Sequence, residues 1–236
     1  MSAREAISDA SFGFVRRPLR ASEPAGTEDI CPTAPHRTVT AIEGEQIAVA
    51  MMSRGIYEVE ARPEGAGTTL LLTLLRCVGW LSRSDLATRR GGAGPELKTP
   101  GAQERGEHSF EFAFATARGR FADGDLAQRA QAYAYPPRLF QARNNRQELF
   151  AMRCDSPHVL LSTARPSGRP GRFTVRAYSA TDESVTAKFE FMPATQVRRV
   201  NLAGRRVALQ GRRPGRAVEL KLRPFEIVTF EVERSS

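Results

Sequence analysis

From Leu149 to Val232 the chain is cut into short alternating or β-branched runs: LFAMRC, VLLSTA, RFTVRAYSA, SVTAKFEF, QVRRVNL, RVALQ, AVELKL and EIVTFEV. Turn-forming stretches such as ARPSGRPG and QGRRPG separate them at intervals of roughly ten residues. That spacing leaves no room for ordinary helices. It suits antiparallel strands whose alternate side chains share one core. Upstream, TVTAIEGEQIAVAMMSRGIYEVEA carries Val39, Ile42, Ile47, Val49 and Val59 and breaks at Glu43-Gly44 and Arg54-Gly55, which predicts three more short strands. In HSFEFAFATA, Phe110, Phe112 and Phe114 fall two apart, so one face of that strand is apolar.

The expected class is all-β. Residues 36–145 are expected to form a large sandwich, 146–236 a terminal sandwich, and 1–35, rich in Arg, Ser, Pro, Glu and Gly, an extended arm. One helix is predicted over Asp123–Ala134, where Leu126, Ala127, Ala130 and Ala134 mark one face and Pro136-Pro137 ends the pattern.

The stretch Leu70–Gly106 divides into an apolar half and a polar half. Six of the seven residues from Leu70 to Arg76 are Leu or Thr, which predicts a strand buried on both faces, so that deleting Leu70–Leu75 should unfold the module. After Trp80 the pattern turns to charges, glycines and prolines and predicts a long ordered loop, a common place for function.

The formal charge of +9 raises polyanions as partners, but all basic residues except Lys98, Lys188 and Lys221 are arginines spread along the chain. Nucleic acid is therefore a minor reading. Arginine pairs at 198/199, 205/206 and 212/213 recur every seven residues, yet Gly204, Gly211 and Pro214 break any helix, so a hairpin is expected to carry them. Cys31, Cys77 and Cys154 form no CxxC pair and suggest reduced thiols. No signal-like or bilayer-length apolar run stands in the sequence, so a cytoplasmic location without membrane contact is expected.

The usual catalytic signatures are missing. His36, His108 and His158 lie far apart with no HxH or HExxH spacing, there is no GxSxG elbow around Ser82, and RGGAGP lacks the Lys-Ser/Thr ending of a phosphate loop. The carboxylates Asp85, Glu96, Glu104, Glu107 and Glu111 surround the central loop, but sequence cannot place any two across a sugar. No catalytic or metal-binding residue is assigned.

A longer pattern is more specific. The leucine strand ending in Arg76 is followed by Val78-Gly79-Trp80-Leu81-Ser82-Arg83, Asp85-Leu86, Thr88-Arg89, Ala93-Gly94-Pro95, Thr99-Pro100, Ala102-Gln103, Gly106 and the phenylalanine strand. Similar pieces flank it at Gly13–Arg17, Pro35-His36, Tyr57-Glu58-Val59, Val175–Tyr178, Arg199–Leu202 and Pro224–Ile227. This series resembles the C-terminal β region of bacterial glycoside hydrolase family 38 α-mannosidases.

The resemblance implies a large sandwich like that of galactose mutarotase followed by a smaller one. It also implies that zinc, the nucleophile and the general acid of retaining α-mannoside hydrolysis belong to an N-terminal α/β domain, so that this chain alone is inactive and holds no cofactor. An arginine near the central strand and loop reaches sugar in some relatives, which makes Arg76 and Arg83 the candidates, with Trp80 able to stack on a ring face. Carbohydrate and a separate catalytic domain are the implied partners. The alternatives are a docking subunit of a split mannosidase and an arginine-rich nucleic-acid module. Gly91-Gly92, Glu104-Arg105, Ala164-Arg165 and the loss of the usual acidic residues around Leu202 to Arg206 depart from the family pattern and point to relaxed constraint or a changed docking surface.

Overall fold

The computed structural model describes residues 3–19, 31–86, 89–139, 141, 151–192, 194–207 and 217–233. The chain divides into two compact units, one of residues 1–10 and 15–121, the other of residues 11–14 and 122–236.

The first unit contains β1 (Glu5–Ala10), most of β2 (Gly13–Pro18), β3 (Thr33–Pro35), β4 (Val39–Glu43), β5 (Ile47–Arg54), β6 (Glu58–Glu64), β7 (Gly67–Leu72), the short β8 (Asp85–Leu86) and β9 (Arg89–Arg90), and β10 (Glu111–Arg118). Five of these form one sheet in the order β10-β5-β4-β1-β2, and three form a second, β3-β6-β7. Period-2 alternation turns Ala6, Ile42 and Val49 toward one another, and Ala61 and Leu70 of the second sheet pack on that cluster. The breaks at Gly44 and Gly55 fall between strands as expected. Gly55 has φ +71°, a conformation in which a Cβ would be strained.

A polar network sits inside this unit. The Nε2 of His36 lies 3.0 Å from the Ile56 carbonyl, and its Nδ1 lies 3.0 Å from the Thr40 hydroxyl, itself 2.9 Å from Ser8 Oγ. Ser53 Oγ donates to the same Ile56 carbonyl at 2.8 Å. The carboxylate of Asp9 accepts from the backbone N–H groups of Arg37, Thr38 and Val39, which fixes the turn between His36 and β4. These bonds tie three strands and a loop together, because a buried polar group without a partner is costly.

The second unit contains α1 (Leu126–Ala134), β11 (Ala151–Cys154), β12 (Val159–Pro166), β13 (Arg172–Ser179), β14 (Val185–Met192), β15 (Gln196–Val200), β16 (Ala217–Leu222) and β17 (Ile227–Glu233). Its sheets, β11-β14-β16 and β12-β13-β17-β15, are antiparallel and enclose one core. Alternate residues supply it: Val175 and Ala177 from β13, Phe189 and Phe191 from β14, Leu220 and Leu222 from β16, and Val228, Phe230 and Val232 from β17. The rings of Phe189 and Phe191 lie 5.0 and 5.1 Å from Phe230 across the sandwich. The helix buries Leu126, Ala127 and Ala130 as the sequence predicts, and Gln131 donates to the Leu161 carbonyl of β12.

Two expectations need correction. Residues 5–10 and 13–18, taken as part of an extended arm, are strands, because β1 pairs with β4 and its backbone bonds do not depend on the few apolar side chains it offers. The leucine run is not buried on both faces. It ends as a strand at Leu72, pairs only with β6, and is half-buried; Leu74 and Leu75 beyond it are exposed. Among the described residues it hydrogen-bonds to one neighbouring strand on one edge, and Leu70 alone of its leucines packs on the Ala6–Ile42 cluster of the other sheet. The expected limit near Asn145 and the rest of the arm, residues 20–30, lie outside the described residues, as does the arginine pair at 212/213.

Candidate functional site

The central loop is a pinned, irregular hairpin. Trp80 bridges to Lys98, Leu81 N–H donates to Leu97 O at 2.8 Å, and Thr99 N–H donates to Gly79 O at 3.0 Å. Gln103 Nε2 donates to the carbonyls of Cys77 and Val78 at 3.1 and 3.0 Å, and Thr99 Oγ1 donates to Val78 O at 2.8 Å. Further out, Ser84 gives both its N–H and its hydroxyl to Glu96 Oε1. The glycines and prolines that read as a loop therefore form a shaped surface held by its own polar groups.

Arg76, Trp80 and Arg83 face different partners. The exposed guanidinium of Arg76 stands 3.8 Å from Glu58 Oε2. Trp80 is 37 % exposed, with Lys98 Nζ 5.7 Å from the ring centroid, within cation–π range. Arg83 forks onto Asp85, with Nε 2.7 Å from Oδ1 and Nη2 on Oδ2. That fork, through its hydrogen bonds first and the opposite charges second, raises the pKa of Arg83 and lowers that of Asp85. Among the described residues the three candidates share no hydrogen bond, ion pair or ring contact. Arg83 must leave Asp85, or share it, before it can offer both arms of its fork to a ligand. Because the pair is exposed and screened, Arg83→Ala is expected to leave the thermal melting temperature essentially unchanged. A clear fall in differential scanning calorimetry would show that the loop depends on the pair.

Sequence reasoning did not find a second polar cluster, in the terminal unit. Arg199 Nη2 donates to Glu226 Oε1 at 2.7 Å, and the N–H of Arg223 donates to Glu226 Oε2 at 2.9 Å. Burial pushes the Glu226 carboxyl pKa up, but the Arg223 N–H and the Arg199 guanidinium outweigh it, and the net shift is downward. Arg199 on β15 and Glu226 in the turn before β17 stand 27 residues apart. The only sequence signal was that Arg199–Leu202 and Pro224–Ile227 both belonged to the family-like pieces. The arginine pairs at 198/199 and 205/206 do stand on a hairpin, closed by the Val200–Arg206 bridge.

No group of three His, Cys, Asp or Glu side chains among the described residues is arranged to hold a metal ion. His36 is buried in its hydroxyl and carbonyl network, and His108 lies against the Glu104 carbonyl on the loop.

Residues 158–230 match the family model for the glycosyl hydrolases family 38 C-terminal beta sandwich domain. That segment of the chain is similar to the family 38 C-terminal β-sandwich. Over 99% of its length the chain is also similar in fold to an α-mannosidase from Enterococcus faecalis V583, with a TM-score of 0.72, 20% identity and coverage of 24% of that chain. A protein in the glycosyl hydrolase family 38 from Enterococcus faecalis gives a TM-score of 0.72 at 20% identity, with 99% of this chain covering 25% of that one. The chain thus spans about a quarter of the length of the structures it resembles. No curated protein matches its sequence significantly. The matched residues contain most of β12 to β17, including the Arg199–Glu226 cluster.

Proposed function

We propose that this chain is the carbohydrate-associated, non-catalytic β part of an α-mannosidase, and that it works against a separate catalytic α/β domain. The family 38 sandwich at residues 158–230 carries this reading. The first unit supplies a surface suited to such a partner. Leu74, Val78 and Leu81 of the leucine strand and loop are exposed, Leu81 by 63%, and so are Phe112 and Phe114 on the edge strand β10, Phe114 by 61%. Large exposed apolar side chains on the loop and on the edge strand are the kind of groups that another protein covers. A separately encoded catalytic half would use the same surface, so the split-enzyme alternative differs only in how the partner is supplied.

In this reading Arg76, Trp80 and Arg83 offer contacts and perform no bond breaking. Arg76 keeps its donors in solvent for a sugar hydroxyl, and Trp80 offers an aromatic face beside Lys98. Many of the arginines that raised nucleic acid as a partner are already paired: Arg16 with Glu5 and Glu43, Arg172 with Glu231 and Glu233, and Arg198 with Glu231. Those charges are balanced locally, which weakens a polyanion surface.

The test is an assay of the purified chain with 4-nitrophenyl α-mannoside, with zinc and then with a chelator. No turnover is expected in either condition. Turnover that the chelator abolishes would place the catalytic centre on this chain and overturn the reading.

A further inference from the structure

The terminal unit has an open cleft of about 550 Å³ between the hairpin that follows β15 and the turn Arg223–Glu226 that leads into β17. The hairpin wall is shaped by Asn201, whose side-chain oxygen accepts from the N–H groups of Ala203 and Arg205. The facing wall is the turn in which Glu226 N–H returns to Arg223 O at 3.1 Å. Both walls are ordered backbone, so the cleft does not depend on a mobile side chain for its shape.

Three kinds of group meet in it. The guanidinium of Arg199 gives one donor to Glu226, which leaves the rest of its five N–H groups for a ligand. The side chain of Arg223 is almost wholly in solvent, and Arg205 and Arg206 are exposed on the same hairpin. Arg199 and Arg223, whose Nε lies 3.4 Å from Glu226 Oε2, therefore flank one carboxylate within the cleft, and two guanidinium charges against one carboxylate leave a local potential that favours an anion. Planar guanidinium heads match carboxylate and phosphate oxygens in two-point contacts. The carboxylate of Glu226, held ionised between Arg199 and Arg223, can still accept from a hydroxyl.

A bare anion would leave the apolar part of the cleft unused. Leu202 is largely exposed, and Phe225 is 36% exposed with φ +55°, a left-handed conformation that a residue with a Cβ adopts only under strain. A glycine would sit there without strain. The ring of Phe225 rests against Gly13, 3.2 Å from where a Cβ on that glycine would stand, so backbone supports one side of it. A supported, part-exposed ring beside hydrogen-bonding groups is the arrangement that takes the C–H face of a sugar.

We propose that this cleft binds a sugar bearing a carboxylate or phosphate group, its charged end on Arg199 and Arg223 and its ring on Phe225. The proposal stands on the terminal unit alone and does not require the mannosidase reading.

The test is isothermal titration of the whole chain at low salt with glucuronate, glucose 6-phosphate, glucose and inorganic phosphate. At least one of the two acidic sugars is expected to saturate, and to bind at least about tenfold more tightly than both glucose and inorganic phosphate. Which of them does so identifies the acidic group. Arg199→Gln and Phe225→Ala are each expected to weaken that binding about tenfold or more. Arg199 also supports the β17 turn, so Arg223→Gln, a change on a solvent-exposed side chain, serves as the second variant and is expected to weaken binding with an unchanged melting temperature. The proposal is overturned if neither acidic sugar saturates, if inorganic phosphate binds as tightly as the sugars, or if the arginine variants bind like the parent.

Discussion

Replacing Phe230 with alanine is expected to destabilise the terminal sandwich by about 3–5 kcal/mol, the range for removing a large aromatic from a closed core. Phe230 is fully buried in the middle of β17, with the rings of Phe189 and Phe191 about it and Val175 facing it from β13. Its removal loses the transfer free energy of the ring, two aromatic contacts and the packing on both sides of the space left behind. Domains of this size have a total stability on the order of 5–15 kcal/mol, so the variant uses up much of the margin. Urea unfolding followed by circular dichroism should show the midpoint moving down by about 1 M or more, given slopes of about 1–3 kcal/mol/M. Phe114→Ala removes the same side chain from an exposed position and should move the midpoint little. Equal shifts for the two would mean that the core is not where the alternation of β13, β14 and β17 places it.

That core was legible because its signal is local. In RFTVRAYSA, SVTAKFEF and EIVTFEV every second residue is apolar, and the structure buries Val175 and Ala177, Phe189 and Phe191, and Val228, Phe230 and Val232 from those runs. The helix was legible for the same reason: Leu126, Ala127 and Ala130 share one face at helical spacing. The leucine run shows the limit of such reasoning. Leu70 to Leu75 announces that it needs cover, but hydrophobicity does not say whether the cover comes from the same chain. Phe112 and Phe114 were read as one apolar face, which they are, and that face lies exposed on an edge strand.

The candidate sites were less legible, because side-chain partners are set by register and not by spacing. Arg83 was singled out as a contact for sugar, and its fork is on Asp85 two residues away, a pairing that many loop geometries would have avoided. Arg199 meets Glu226 because β15 runs antiparallel to β17 with Val200 opposite Thr229, a register that no motif in either segment specifies. The same holds for His36, whose neighbours Thr40, Ser53 and Ile56 come from β4, β5 and the turn after β5.

The His36 network gives the second large effect, and it depends on pH. Ile56 O can only accept, so Nε2 carries the proton, and Nδ1 accepts from Thr40, whose oxygen in turn accepts from Ser8. Protonation would turn Nδ1 into a donor facing the Thr40 hydroxyl proton, and the Ser8–Thr40 bond would have to reverse. Burial is the main cause that holds the pKa of His36 below the ordinary histidine value, against the Asp9 carboxylate and the Ile56 and Val39 carbonyls, which pull it upward. The unfolded chain, with an ordinary histidine pKa of about 6.5, therefore takes up the proton first. Stability from the neutral ring is complete above about pH 6.5 and declines as the pH falls below it, with a slope of up to about 1.4 kcal/mol per pH unit until the folded form also protonates. His36→Gln cannot titrate here. It should be less stable at pH 7.5 by about 1–3 kcal/mol, because Thr40, Ser53 or Ile56 loses a buried partner. Its melting temperature should then fall less between pH 7.5 and pH 5 than that of the parent, so that the two curves converge. Parallel curves would show that acid acts through groups common to both proteins and not through the His36 ring.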